Sequence, residues 1–458
     1  MEQGLEQLGL AELHEKFKQK SVSPVEYAEH MLGLMKRETF NAIVTIDEEA
    51  AMAFAKASEK RYVAQDAASP LDGALIGVKD VILTKGLRTT FGCAAYKNHI
   101  PDEDAYVVAR LKAQGANISV KTNTSQFAMG PMGDVSLNGP VLNPRDVRRV
   151  SGGSSSGSAA AVAGRLCPGT LGTDSGGSIR LPSAMCGVVG LKPTFSLVSN
   201  EGVMPVNESV DTIGPLTRTV EDNALLLNAI AGYNPRDWRS APREPENYLR
   251  RLKEPLAGGK IACPVECLRD VEPAVEKAVL NAAKAFAELG AEIKETHVPK
   301  ELDQYRAAHQ LLLMAGAHME HAKDLEQHRP HIYDQVYHRL MQGGFDSDQY
   351  VKYERMRHGM VALLYDWLGD CDALLIPTTP AAACLIGAES VEINGKACPP
   401  LTLYPTFTWI ASYSGFPSIA LPAGTDDRQL PVGISLIARP FDEANLYRYA
   451  WHLEQYLK

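Results

Sequence analysis

Three stretches in the first half of the chain carry residue types that can do chemistry: Lys79 in "ALIGVKDVIL", the serines of "SGGSSSGSAAAVAG" at 151–164, and Ser178 in "GTDSGGSIR". A lysine flanked by apolar residues must have its charge paired or lost, because burial favours the neutral amine. Lys79 is therefore a candidate base. Gly176 and Gly177 carry no side chain, so the backbone amides before Ser178 can turn toward a developing negative charge, as an oxyanion hole requires. Ser178 then stands where a nucleophile should. A serine hydroxyl needs a base near neutral pH, yet no histidine lies between His99 and His297. A histidine brought close by folding would serve, and so would the Lys79 amine acting through a second serine.

Each feature also has a plain reading. Lys79 fits an edge-strand lysine reaching solvent, "SGGSSSGS" a flexible loop or linker, and "DSGGSIR" a tight turn into a helix. The linker reading is weakened by the helix formers at 159–163, and the three features together favour chemistry. Gly153-Ser154-Ser155-Ser156-Gly157 matches G-x-S-x-G, but a nucleophile elbow follows a buried apolar strand, and "NPRDVRRV" is polar and opened near a proline. No G-K-[ST] follows the glycines, so a P-loop is excluded. His318 and His321 lie one helical turn apart and could share a metal with His309 or His328, but no third ligand has convincing spacing, so no metal is expected. Tyrosines and methionines around "HIYDQVYHRLMQGGF" suit a substrate pocket or helix packing.

The elements that must position these residues alternate. "SPVEYAEHMLGLMKRE" is a helix with Ser23 as N-cap, Pro24 at its first position and Glu26 completing a capping box, followed by apolar Val25, Met31, Leu32 and Met35. "ALIGVKDVIL", "ANISVKT", "CPGTLGTDSGG", "GKIACPVE" and "DALLIPTTP" are short apolar runs suited to strands buried on both faces. "DAYVVARLKAQG", "GSAAAVAGRL" and "VEKAVLNAAKAFAELG" read as helices between them. The expectation is an α/β fold: one large α/β/α domain over 1–458, with a central mixed, mostly parallel sheet covered by helices on both faces. "PSIALPAGTDDRQLPVGISLIARP" reads as a hairpin added to that sheet. Residues 1–65 form amino-terminal helices, and 295–365, rich in His, Tyr, Gln and Met, form a helical segment capping the site.

Composition narrows the function. With 458 residues, 45% hydrophobic and 22% charged, the chain has ample material for a core. Its net charge of −9 without a basic run excludes the footprint of a nucleic-acid binder. No apolar stretch suits a membrane span, and "MEQGLEQLGLAELHEKF" is acidic and amphipathic, so a cytoplasmic protein is expected. Eight scattered cysteines without C-x-x-C spacing read as reduced, mostly buried thiols. An apolar stripe in the first helices suits a homodimer as well as a core.

"GVKD", "SGGSSSGSAAAVA", "LGTDSGGSIRLPSAMCGVVGLKPT" and "IGPLTRTVEDNALLL" resemble the amidase signature family of serine hydrolases, over about residues 71–227 within a core at 66–230. "LLIPTTP" and "GFPSIALPAG...LPVGISLI" are similar to its carboxyl-terminal strands. The resemblance implies Ser178 as nucleophile, Ser154 as a bridging serine in a cis peptide, and Lys79 as base working as a neutral amine. It further implies the amides of Ser175, Gly176 and Gly177 as oxyanion hole, with Ser155, Asp174 and Arg180 in support. Phe127, Ala128, Met129 and Gly130 are implied to line the acyl pocket. No cofactor or metal is implied. Ser156 departs from the family's GGSSGGS pattern, where a glycine stands. The function implied is hydrolysis of a small amide, carbamate, urea-like or ester substrate through an acyl-enzyme. The alternative is the glutamine-hydrolysing subunit of a tRNA-dependent amidotransferase, whose tyrosine- and glycine-rich stretch and late aspartate are missing here, the latter at "LYPTFTWIASYSG". "IGAESVEINGKACPP" resembles the matching segment of family members acting on nitrogen-rich compounds such as carboxybiuret.

Overall fold

The computed structural model describes residues 4–344 and 346–458; Phe345, which closes "HIYDQVYHRLMQGGF", and residues 1–3 lie outside them. Eleven strands form one sheet: β1 (Ile43–Ile46), β2 (Leu75–Lys79), β3 (Asn117–Thr122), β4 (Gly169–Asp174), β5 (Val189–Lys192), β6 (Thr212–Thr217), β7 (Lys260–Pro264), β8 (Glu292–Thr296), β9 (Ala373–Pro377), β10 (Ser418–Thr425) and β11 (Pro431–Ala438). Their order across the sheet is β1-β3-β2-β4-β6-β5-β10-β11-β9-β7-β8. Every residue of β2, β3, β4, β6 and β11 is buried. Because side chains alternate between faces, a strand buried throughout must be covered on both sides. The helices Ser156–Ala163 and Val220–Ile230 both pack on β4, and Pro273–Glu288 and Glu443–Leu457 both pack on β11.

The expected mixed sheet is present, but it is not mostly parallel. Pairing is parallel at β3–β2, β2–β4, β9–β7 and β7–β8. It is antiparallel at the six other junctions. The hairpin β10–β11 and the strand β6 sit in the middle of the sheet and run against their neighbours. Strand β6 is "TIGPLT", and its Pro215 is a residue that normally argues against a central strand.

At the amino terminus, the Ser23 hydroxyl accepts from the amides of Val25 and Glu26 at 3.0 and 3.3 Å. Its proton goes to Glu59 on the next helix, which joins two helices at one cap. The apolar stripe that would suit a dimer, including Leu13, Phe17, Met31 and Met35, is buried in the chain's own core. Seven cysteines are buried, Cys398 is half-buried and all are free.

The 295–365 segment is helical beyond β8: Leu302–Glu320, Ala322–Gln327, Asp334–Met341 and Ser347–Leu368. The first of these packs against the third and fourth, and Leu312, Leu340 and Met360, one from each of the three, are buried. No described helix is long and apolar enough to cross a membrane.

Candidate active site

Strands β2 and β4 are parallel neighbours, with Ile76 opposite Gly169 and Val78 opposite Leu171. Their carboxyl ends therefore meet on one edge, where α/β sheets commonly place their ligands. Lys79 ends β2 and is fully buried; the solvent-reaching edge position does not occur, because β2 lies between β3 and β4. Its Nζ donates to Ser154 Oγ at 2.8 Å and Thr173 Oγ1 at 2.7 Å. Burial pulls the amine down to about 7, against the pull of Asp174 and Asp211. Near neutral pH a large share of Lys79 is thus an uncharged base. Thr173 carries no sequence signal of its own; its place one residue beyond the β4 position opposite Lys79 emerges only from the strand register.

The Gly/Ser stretch is packed structure. Ser154 and Ser155 are fully buried, and the Gly153–Ser154 peptide is cis. Gly157, in the first turn of the Ser156–Ala163 helix, lies so close to Asn123 that a Cβ would collide with the Asn123 backbone. The Ser155 amide donates to the Ser178 carbonyl at 3.1 Å. Ser155 Oγ donates to the Thr173 carbonyl at 3.1 Å and accepts from the Thr173 amide at 3.2 Å. In the G-x-S-x-G frame Ser155 would be the nucleophile, but its proton is held by that carbonyl. The strand in front, Asp146–Val150, is mostly unburied; it pairs with Leu142–Asn143 and bridges to Leu385 through Arg149, outside the central sheet. Ser156 buries its hydroxyl without a hydrogen-bond partner among the described residues.

The loop after β4 turns around Asp174. This buried carboxylate accepts from Arg180 Nε at 3.0 Å and Nη2 at 2.9 Å, from the amides of Gly177 at 2.8 Å and Ile179 at 3.2 Å, and from Ser412 Oγ at 3.2 Å. Burial pushes its pKa up, but Arg180, Lys192 and these donors outweigh it and hold the group at about 2. Gly177 departs from its expected role, because its N–H is committed to Asp174. Glycine is needed there for another reason: φ is +130°, and a Cβ would collide with Thr408 Oγ1. The amides of Ser175 and Gly176 have no acceptor among the described residues. The Ser175 hydroxyl donates to Asp211, a second residue that sequence reasoning missed. Burial raises Asp211 to about 6.

A cavity of about 140 Å³ opens over this loop, with Ser175, Gly176 and Ser178 in its wall. The Ser178 hydroxyl makes no hydrogen bond to another described residue. Ala128, Met129 and Gly130 line the cavity; Phe127 does not. Its ring is fully buried and stacks on His321 with centroids 4.3 Å apart, because a left-handed backbone at Phe127 and Ala128 turns the ring into the core.

The helical segment closes the cavity with Arg306, His309, Leu313, Arg339 and Gln342. His309 Nε2 donates to the Ser175 carbonyl at 3.1 Å, and burial lowers its pKa to about 4, so it is a neutral prop behind the loop. The other histidines scatter: His318 Nδ1 donates to the Leu340 carbonyl at 3.1 Å, and His321 Nδ1 pairs with Asp324 at 3.0 Å. Among the described residues no three His, Cys, Asp or Glu side chains group as metal ligands do.

These features place a buried amine, two serines and unclaimed amides at one sheet edge. The Amidase family model matches residues 33–447; the chain belongs to the amidase signature family and is an enzyme acting on amide C–N bonds. It is 37% identical to the A-type chain of a glutamyl-tRNA(Gln) amidotransferase from Thioalkalivibrio sulfidiphilus, over 95% of this chain and 94% of that one. A solved structure described as a vestigial protein complex revealing the evolutionary origins of an s-triazine catabolic enzyme superposes with a TM-score of 0.93 at 30% identity, covering 98% of each chain. The A-type chain of the same amidotransferase from Thermotoga maritima superposes at 0.80 with 29% identity, covering 99% of this chain and 96% of that one.

Proposed function

We propose that the chain hydrolyses a small amide, or a related carbamate or urea-like compound, through an acyl-enzyme on Ser178. The observation that carries this is the buried Lys79 amine, 2.8 Å from Ser154 Oγ, behind the cavity wall that holds Ser178. Ser178 Oγ attacks the carbonyl while its proton passes through Ser154 to Lys79. Catalytic hydrogen bonds often tighten only with substrate in place, and the Ser178–Ser154 link closes at that step. The oxyanion rests on the amides of Ser175 and Gly176, fixed donors that need no reorganisation. The proton returns to the leaving amine, and water then repeats the sequence on the acyl group. The test is intact-mass analysis after exposure to a fluorophosphonate. One adduct on the wild type and none on Ser178→Ala supports the role, while equal labelling of both removes Ser178 from it.

A second reading, the glutamine-hydrolysing component of an amidotransferase, is favoured by the names of the relatives at 36–37% identity. Against it stands the cavity wall, which contains no Asp or Glu among the described residues to receive the ammonium of glutamine. Glutaminase activity that appears only with added partner proteins would favour this second reading; turnover of a simple amide by the chain alone supports the first.

A further inference from the structure

Part of the cavity wall is the loop after β3, with Ala128, Met129 and Gly130, and part is the cap, with Leu313 and Met314 of the Leu302–Glu320 helix and Arg339 of the Asp334–Met341 helix. The loop is fixed by its own main chain. Phe127 and Ala128 are left-handed, a conformation that persists only where its surroundings enforce it. Here the amides of Gln126, Phe127 and Met129 donate to the carbonyls of Val135, Phe91 and Gln126 at 2.8, 2.9 and 2.9 Å.

Where loop and cap meet, one side chain of the loop grips the main chain of the cap. Gln126 is fully buried. Its Nε2 donates to the His331 carbonyl at 2.8 Å, and its Oε1 accepts from the Tyr333 amide at 3.0 Å. A planar side-chain amide that takes a carbonyl and an N–H two residues apart fixes the register of the segment as well as its distance. Ile332 between them is buried, while His331 and Tyr333 are exposed. The Cys93 thiol shares the His331 carbonyl at 3.6 Å, and the Tyr333 hydroxyl donates to the Ser136 carbonyl at 3.1 Å. This segment leads directly into the Asp334–Met341 helix, so its seat on Gln126 sets the clearance between that helix and the loop. The cavity of about 140 Å³ is close to the roughly 150 Å³ that houses a benzene ring, and so admits a group of about six heavy atoms.

We propose that Gln126 is the specificity-determining residue that sets this limit: by seating the cap on the pocket loop it restricts the enzyme to amides of short acyl groups and rejects long-chain ones. This rests on the serine-amidase reading of the same cavity. Gln126 acts through the cap and touches no reacting atom, so it is a positioning residue.

The experiment compares the rates at which an ethyl and an octyl fluorophosphonate label Ser178, followed by intact-mass analysis. In the wild type the ethyl probe should react about 10- to 100-fold faster, the range over which a fitted apolar pocket discriminates by size. Gln126→Met keeps the bulk of the side chain and loses both hydrogen bonds. It should speed the octyl probe and shrink the ratio about fivefold or more, the worth of one or two hydrogen bonds. Tyr333→Pro deletes the donating amide from the other side of the contact, at a φ of −60° that proline adopts and after an extended Ile332, as a residue before proline must be. It should shift the ratio in the same direction, and it carries the test if Gln126→Met does not fold. A wild-type ratio near one overturns the size limit. An unchanged ratio in both variants, with or without a common slowing of the two probes, assigns Gln126 to the fold alone and overturns its role. Failure of the wild type to label with either probe counts instead against the serine reading beneath, so the two failures are distinct.

Discussion

The sheet edge and the helical cap meet at the same cavity and are built on opposite terms. At the edge, Lys79, Ser154, Asp174 and Arg180 are all essentially inaccessible, and the Asp174 carboxylate alone accepts five hydrogen bonds. In the cap, the Ser347–Leu368 helix buries only Met360, Leu364, Trp367 and Leu368 of its 22 residues. Buried polar networks are costly when incomplete and rigid when complete, so the edge can hold reacting groups to a fraction of an ångström. Of the two cap arginines in the cavity wall, Arg306 donates to the Thr402 carbonyl at 3.1 Å, and the Arg339 guanidinium makes no hydrogen bond to the described residues. The two regions thus differ in how firmly their polar groups are tied.

Substitutions can break this contrast in graded ways. Ser178→Ala should lower turnover on the order of a million-fold while leaving the unfolding midpoint within about 2 °C of the wild type, since its hydroxyl makes no hydrogen bond to the described chain. Lys79→Ala should cost about a thousand-fold or more in acylation, measured by single-turnover kinetics. Asp174→Ala strands the Arg180 guanidinium in the core and should destabilise the fold by about 3–5 kcal/mol, read by urea denaturation. Gly177→Ala forces a side chain into the left-handed region and against Thr408, with a loss of about 1–3 kcal/mol and a matching drop in activity. Val351→Thr, on the open face of the cap, should stay within about 0.5 kcal/mol. A cap substitution of that kind that unfolds the protein would break the comparison.

The edge is also far more legible in the sequence than the cap. Lys79 and Ser178 stand in short stretches whose apolar flanks and glycines answer a physical need, and Ser154 is singled out among the neighbouring serines by the family resemblance. Gly177 defeats the reading, because a glycine required for its φ and one required to bare an amide look alike in sequence. Phe127 defeats it because the backbone turn that sends its ring toward His321 leaves no trace in composition. Thr173 and Asp211 depend on strand register and loop closure, which join residues distant in sequence. The helices of the cap can be expected from their pattern, but not that Arg306 and Arg339 meet in one cavity. Strand β6 escapes because Pro215 argues against a central strand, and with it goes the sheet's antiparallel middle.

The central claim is that neutral Lys79 draws the proton of Ser178 through Ser154. Protonation occupies the amine's lone pair, so activity must fall as the medium is acidified through the amine's pKa and hold steady above it. The most direct measurement is the rate of Ser178 acylation from pH 5 to 9 in the wild type and in Lys79→Met. The account predicts a wild-type rate rising about tenfold per pH unit at low pH and levelling near 7, with the variant slow throughout and lacking that limb. The same acid limb in both proteins, or a wild-type rate flat across the range, would contradict it.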